Sequence, residues 1–310
     1  MLSWLLAFAV SAVGALLAAQ HLRPTPSVRG RNVVIVGASS GIGRSLALEF
    51  AQRGANLVLC ARRPEQLANV ADACRQFSVD VHTVVGDITQ RETQLALYRQ
   101  AKGAYGVDYL VLNAGAISVR PITDLWPTTT TTTETELQDE ADRAEALFQQ
   151  ILSINAVAPA TVAGLFLPLL TQSKGVVVVV SSVAGLVAAP TRSLYSASKH
   201  AVTGYFNAFR MEVARLGVAV LVAYPGTVDT DLRHSAVDAS ISSSSSSPLG
   251  PPAGSNSGKL SARSCAQQIV RAAALRRTSL VTPWVYWLGP LLYPIVPSFV
   301  DYLAKKKYGF

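Results

Sequence analysis

Tyr195 and Lys199 stand four residues apart in Tyr195-Ser196-Ala197-Ser198-Lys199. On a helix that spacing puts both side chains on one face. A phenol is a poor acid or base near neutrality, with an unperturbed pKa of about 10. A neighbouring ammonium favours the phenolate and is expected to lower that value. The pair can then exchange a proton with a substrate oxygen. Thirteen residues before Tyr195, Ser182 follows the apolar run Val176–Val180. Its hydroxyl can hydrogen-bond the same oxygen and orient it. Ser181 beside it points elsewhere if the strand continues.

A second group suits an anion. Gly37-Ala38-Ser39-Ser40-Gly41-Ile42-Gly43 follows the apolar run Val33–Val36 and precedes a helix-like stretch, Arg44 to Arg53. Glycines permit a tight turn and a close backbone approach. The N-terminus of a helix offers free N–H groups and partial positive charge to a pyrophosphate. A glycine turn placed between a first strand and a first helix is a much stronger signal than a lone glycine pattern.

These groups need a scaffold. Apolar runs recur at Val33–Val36, Leu57–Cys60, Val81–Val85, Tyr109–Leu112, Val176–Val180 and Ala219–Ala223, separated by helix-like stretches. They are short, rich in valine and leucine, and barely alternate. That pattern predicts strands buried on both faces of a parallel sheet and repeated βα units with right-handed crossovers. The expected fold is α/β: a Rossmann doubly wound parallel sheet with helices on both faces. One catalytic domain spans residues 30–279, preceded by an N-terminal membrane helix over residues 1–20.

Gly-x-x-x-Gly-x-Gly in this position, with the later motifs in order, resembles the short-chain dehydrogenase/reductase family over about Arg31 to Val270. The chain has Val36 where the family usually has threonine, which removes one side-chain hydrogen bond but not the turn. The resemblance implies a nicotinamide cofactor held by Gly37, Ser39, Ser40, Gly41, Ile42 and Gly43. It assigns Ser182 as the substrate-orienting hydroxyl, Tyr195 as the proton donor and Lys199 as a group that also holds the cofactor ribose. Asn155, in Ile154-Asn155-Ala156, completes the catalytic set by holding a bent helix and a water linked to the lysine. Asp87 and Ile88 match the adenine side, although Asp87 could equally cap a helix. Asn113-Ala114-Gly115 resembles the family motif that supports the sheet and lines the cofactor pocket. Pro225, Gly226, Val228 and Thr230 match the motif that flanks the nicotinamide. Pro-Gly could also be a plain turn.

The second strand ends in Ala61-Arg62-Arg63. NAD-preferring folds place an acid there for the ribose 2′-hydroxyl, and this chain has Ala61 in that place. A guanidinium at Arg62 can pair with a 2′-phosphate that an acid would repel. The expected cofactor is NADP(H), with Ser39 also touching the phosphate. The competing reading leaves Arg62 and Arg63 as solvated surface charges.

Half of the 310 residues are hydrophobic, 15% are charged, and the net charge is +8. The apolar excess points to membrane contact as well as a core. Basic charge suits nucleic acid or an anionic membrane surface; with no nucleic-acid motif, the membrane is favoured. Cys60, Cys74 and Cys265 form no disulfide framework or metal motif, and no metal site is expected. Leu2 to Ala19 is an uncharged apolar run at the lower edge of a bilayer span. It lacks a basic n-region, so an uncleaved anchor is the expectation, with cleavage near Ala18–Ala19 as the alternative. His21, Arg23, Arg29 and Arg31 follow it. By the positive-inside rule they place the catalytic domain in the cytosol, on the endoplasmic reticulum or a related membrane.

Flexible insertions are expected near 127–136, at the threonine run, and near 238–259, at the Ser/Pro/Gly stretch. The tail, residues 280–310, carries Trp284, Tyr286, Trp287, Tyr293, four prolines and Lys305–Lys307. Two readings stand for it: a membrane-interface segment or a tail packed on its own domain. Anchor and tail look most like the membrane-bound, hydroxysteroid-dehydrogenase-like members of the family. The resemblance then implies an NADP(H)-dependent oxidoreductase interconverting a carbonyl and an alcohol. Its expected partners are a lipophilic ketone or aldehyde (steroid, retinoid, sphingoid or other lipid), membrane lipids and, as in many family members, a second copy in a homodimer. Alcohol oxidation in the same pocket and a catalytically silent NADP(H)-binding scaffold are the alternatives; intact Ser182, Tyr195 and Lys199 argue against the second.

Overall fold

Valine-rich runs with no polar face can satisfy their backbone only inside a sheet covered on both sides. The computed structural model describes residues 24–104, 106–126, 133–230, 232, 236–238 and 259–310. Each of the six expected runs is a strand: β1 (Asn32–Val36), β2 (Asn56–Ala61), β3 (Val81–Val85), β4 (Tyr109–Leu112), β5 (Val176–Val180) and β6 (Ala219–Pro225). A two-stranded ribbon pairs β7 (Val228–Asp229) with β8 (Leu260–Ser261), and β9 (Ser279–Thr282) joins the main sheet beside β6. The seven-stranded sheet runs β3-β2-β1-β4-β5-β6-β9, with every pairing parallel.

Alternate residues along each strand feed two cores. Val33, Ile35, Leu57, Leu59, Val178 and Leu221 face α1 (Gly41–Gln52), α2 (Pro64–Arg75) and α7 (Ala262–Ala274). Val34, Val36, Val177, Val179, Val220 and Val222 face α3 (Arg91–Ala104), α5 (Ala158–Ser173) and α6 (Ser193–Val213). β5 is five valines, all buried, between β4 and β6.

The strand order reverses between β1 and β4, where neighbouring crossovers leave in opposite directions. Open α/β sheets bind ligands beyond the carboxyl ends of their strands at such a point. The ends of β1, β2, β4, β5 and β6 therefore deliver Gly37, Arg62, Asn113, Ser182 and Gly226 to one rim.

Three boundaries differ from the sequence reading. The expected insertion near 127–136 stops short of its far end: Thr133 caps α4 (Glu134–Leu152) through a reciprocal capping box with Glu136. That box satisfies two helix-end donors and draws the acidic residues into the helix. At the second insertion, Asp238 is fully buried. The tail starts inside β9, a short edge strand whose Ser-Leu-Val-Thr sequence gives little signal before it pairs with β6. The expected N-terminal helix and most of both insertions lie outside the described residues.

After β9 the chain runs through Trp284–Trp287 into α8 (Leu288–Leu292) and α9 (Pro297–Tyr308). One side of this tail packs on the domain. A β-carbon at Gly226 would run into the Tyr286 ring, Lys307 Nζ donates to the Tyr286 hydroxyl at 3.0 Å, and Val300 is buried. The other side leaves Trp284, Trp287, Leu291, Ile295, Phe299 and Tyr302 exposed.

Candidate active site

A cleft of about 460 Å³ runs along the rim from Arg62 and Arg63 to Ser182 and Tyr195. Of the expected cofactor residues, Gly37, Ser39, Ser40, Gly41, Ile42, Arg62, Asp87, Ile88, Asn113, Ala114, Gly115, Tyr195, Lys199, Pro225, Gly226, Val228 and Thr230 line it. Gly43 does not. It sits one layer below, where a β-carbon would collide with the Gly37 carbonyl oxygen. Its role is to let α1 start tight against β1, with its N-terminus at the cleft. Asn113 Nδ2 donates to that carbonyl at 3.0 Å, tying the turn to the end of β4. Ser40 occupies the N-cap position without using its side chain as a cap, so the first N–H groups of α1 remain aimed at the cleft.

The two arginines make different contacts within the protein. Arg63, at the N-cap of α2, donates through Nη2 to Ser39 Oγ at 3.1 Å and Ser40 Oγ at 2.7 Å. Arg62 Nη1 lies 4.0 Å from Asp87 Oδ2, in a pair that is mostly solvent-exposed. Sequence reasoning put Arg62 on the phosphate and left Arg63 open; Arg63 is the one that reaches over the glycine turn. The two serines of that turn, read with a doubled arginine, were the available signal. Asp87 Oδ1 accepts from the Thr89 N–H at 2.9 Å and hydroxyl at 2.8 Å, so it braces its own turn while its side chain lines the cleft.

At the other end, Ser182 follows β5, and Tyr195 and Lys199 project from α6. All three line the cleft. The Ser182 hydroxyl stands near enough to the Tyr195 hydroxyl to favour its ionised form. Lys199 Nζ donates to Val180 O at 3.1 Å and stands 5.7 Å from the Tyr195 ring centre. Burial pushes the ammonium down to about 8. Burial also raises the Tyr195 phenol above its ordinary value, opposed by the Ser182 hydroxyl and the charge of Arg192. The expected lowering by Lys199 is therefore corrected: loss of solvent raises the phenol, the opposing charge is that of Arg192, and the phenol keeps its proton more firmly than in water.

Asn155 stands behind the cleft wall. It lies in a π-helical turn, Ser153–Val157, between α4 and α5. Its Oδ1 accepts from Ala116 N at 2.8 Å, and its Nδ2 donates to Ala116 O at 2.9 Å and Ser198 Oγ at 2.9 Å. The extra residue of a π-turn aims this amide between the β4 loop and α6. It thereby fixes the helix that carries Tyr195. Ser181 turns away, toward Thr203 and the Lys199 carbonyl.

The residues fit a nicotinamide dinucleotide. The helix N-terminus and glycine turn suit a pyrophosphate, two guanidiniums mark one end, and a buried phenol with a buried amine marks the other. The arrangement can hold a carbonyl oxygen and deliver a proton to it.

The comparisons agree. A family model described as short chain dehydrogenase matches residues 31–240. An 11-beta-hydroxysteroid dehydrogenase-like 2 protein of Arabidopsis thaliana is 30% identical over 89% of this chain and 81% of its own length. A hydroxysteroid 11-beta-dehydrogenase 1-like protein B of Xenopus laevis is 30% identical over 84% of this chain and 80% of its own. Among solved structures, a short chain dehydrogenase/reductase from Burkholderia phymatum in complex with NAD superposes with a TM-score of 0.70 at 23% identity, covering 88% of this chain and 96% of that one. A short-chain dehydrogenase from Sphingobium yanoikuyae in complex with NADPH gives 0.65 at 21% identity, covering 87% and 95%. With its glycine turn, parallel sheet and Ser182–Tyr195–Lys199 group in place, this chain belongs to the short-chain dehydrogenase/reductase family of nicotinamide-dependent oxidoreductases.

Proposed function

We propose that this protein is an NADP(H)-dependent reductase of a lipophilic ketone or aldehyde, working at a membrane. The observation that carries the reading is the cleft itself: a phenol–serine pair at one end and Arg62 with Arg63 at the other. The bound cofactor supplies the hydride. Ser182 holds the carbonyl oxygen beside the Tyr195 hydroxyl, a positioning effect. Tyr195 donates its proton to that oxygen as negative charge develops. Burial keeps the phenol protonated, which is the form a proton donor needs. Lys199 places a cation near the phenolate left behind, and Asn155 keeps its helix in register. Arg62 and Arg63 would meet a 2′-phosphate with charge-assisted hydrogen bonds, and Ala61 offers no acid to oppose it.

The exposed face of the tail supports a lipophilic substrate. Trp284 is 73% and Ile295 75% exposed, on the same tail as Tyr286, whose ring lies against Gly226 of the cleft. Aromatic and apolar side chains with Lys305–Lys307 suit a bilayer interface. The run from Leu2 to Ala19 would anchor the chain in the endoplasmic reticulum or a related membrane, with the basic flank and catalytic domain on the cytosolic side. Loss of NADPH absorbance with a panel of steroid, retinoid and sphingoid carbonyls tests the activity. Cofactor binding with no turnover across that panel would favour a silent cofactor-binding scaffold instead. Protection of the catalytic domain from protease in intact microsomes would overturn the topology.

A further inference from the structure

A buried guanidinium keeps its charge, so the fold around it must supply compensating groups. Arg192 is 3% exposed and lies one helical turn before Tyr195, a spacing that puts the two on the same side of a helix. Its Nη1 donates to Ser118 O and Thr191 O, both at 3.2 Å. Ser118 is itself pinned by the buried Asp238 carboxylate, which accepts from Ser118 Oγ at 2.7 Å and from the Val119 and Arg120 N–H groups at 2.9 and 2.8 Å. Asp238 thus holds the loop that offers the Ser118 carbonyl to Arg192. From the far end of the chain, the Tyr308 ring covers the guanidinium with its centre 5.4 Å away. The residue that turns Arg192 inward, Thr191, has φ 61°. A β-branched residue in the left-handed region is a strained outlier, and such strain persists only where its surroundings enforce it.

We propose that Arg192 is a positioning residue for Tyr195. Turned inward at Thr191 and covered by Tyr308, it sets a second fixed cation beside the phenol, which makes the C-terminal helix part of the active site. This rests on the proposed role of Tyr195 as the proton donor. Among the described residues, the charged and titratable groups around Tyr195 are few. Lys199 stands on its own helix, and Arg192 is the N-cap residue of that helix. Tyr308 faces it from α9, with Lys307 Nζ 5.9 Å from the Tyr308 ring centre. Asp238 lies behind Ser118. His200 bonds the Ser196 carbonyl of its own helix. Arg192 favours the phenolate and Tyr308 disfavours it.

The test is the pH profile of kcat in the oxidative direction, where Tyr195 must first lose its proton. Full-length wild type, Arg192→Met, Arg192→Lys, Tyr308→Leu and Tyr195→Phe are compared. Arg192→Met should move the rising limb about one pH unit upward, the size of a nearby-charge effect, while KM for the cofactor is unchanged. Arg192→Lys should restore the wild-type limb. Tyr308→Leu removes a group that disfavours the phenolate and should move the limb the other way, downward and by less. An unmoved limb in Arg192→Met overturns the proposal, and an unmoved limb in Tyr308→Leu takes the C-terminal helix out of it. If Arg192→Met fails to fold, Arg192→Gln decides on the same criterion. Tyr195→Phe separates the two levels. Full turnover by that variant overturns the proton-donor assignment itself, whereas lost turnover with unmoved limbs overturns only the role of Arg192.

Discussion

At the cofactor end of the cleft the surface is largely backbone and small side chains: the turn from Gly37 to Gly43, the N-terminus of α1, and Asn113 to Gly115. At the substrate end the working groups are larger side chains drawn from distant parts of the chain. Ser182 comes from the end of β5 and Tyr195 and Lys199 from α6, whose N-cap is Arg192; behind them Tyr286, from beyond β9, packs on Gly226, and Tyr308, from α9, on Arg192. One end is built by short-range geometry, a turn between consecutive elements. The other is built by long-range packing. The first kind tolerates almost no added volume, because its neighbours are backbone. The second can shift, because its neighbours are rings on helices at the edge of the fold.

Substitutions at the two ends sharpen this contrast. The largest effect belongs to Tyr195→Phe. Loss of a general acid lowers turnover by about a thousandfold, with NADPH binding retained by fluorescence titration; comparable turnover would remove the chemical basis of the substrate end. Next come the arginines. Arg63→Ala should weaken NADPH binding by about tenfold to a hundredfold, the loss of charge-assisted hydrogen bonds, and leave NADH binding unchanged. Arg62→Ala should do less, because its guanidinium already faces Asp87. A reversed order in calorimetric Kd values would make Arg62 the main phosphate contact.

A matched pair of glycines compares the ends directly. Gly43→Ala meets the Gly37 carbonyl and should cost about 2–3 kcal/mol of stability, with cofactor binding impaired. Gly226→Ala meets the Tyr286 ring, which can yield. It should cost less in a denaturant melt, with a visible change in fluorescence from Trp284 and Trp287. Equal losses would mean that the tail is as rigid as the turn.

The last effect is alkaline. Burial pushes Cys60 and Cys265 up to about 12 and Cys74 to about 11, from an ordinary thiol value of 9.0. The unfolded chain therefore loses these protons first. Stability is fully present below about pH 9 and falls as pH rises toward the folded values, by about 1.4 kcal/mol per pH unit per thiol. Lys199, depressed to about 8, works oppositely, gaining stability between about 8 and its ordinary 10.5, but it is one group against three. Melting temperatures from pH 9 to 11 should fall, and Cys265→Ala should flatten the slope.

The same contrast explains what was legible in the sequence. Val33–Val36 followed by Gly37 to Gly43 is one contiguous signal for strand, turn and helix, and the six valine- and leucine-rich runs announce the sheet. Tyr195 and Lys199 are legible because helical spacing alone brings them together. Arg192, Tyr286 and Tyr308 carry no such signal. Their placement depends on where α9 lands after a strand, β9, whose four residues have little pattern of their own. The sign of the Tyr195 shift was missed for a related reason: spacing reveals a neighbouring charge but not how much water the fold removes. The tail could not be assigned to membrane or domain because it has two faces. Tyr286, Val300 and Tyr308 pack inward, while Trp287, Ile295 and Phe299 stay outside.

β5 carries a consequence for handling the protein. Its five valines are harmless when clamped between β4 and β6. In the unfolded chain, Gly175 to Val180 is an uncharged, β-prone, proline-free segment of the kind that stacks between molecules. Lys174, immediately before it, is a single charged gatekeeper. Refolding from denaturant should therefore be a race between sheet formation and self-association, with yields that fall steeply as protein concentration rises. An aspartate at Val180, the last valine before Ser181, would slow the aggregation at the expense of the native core.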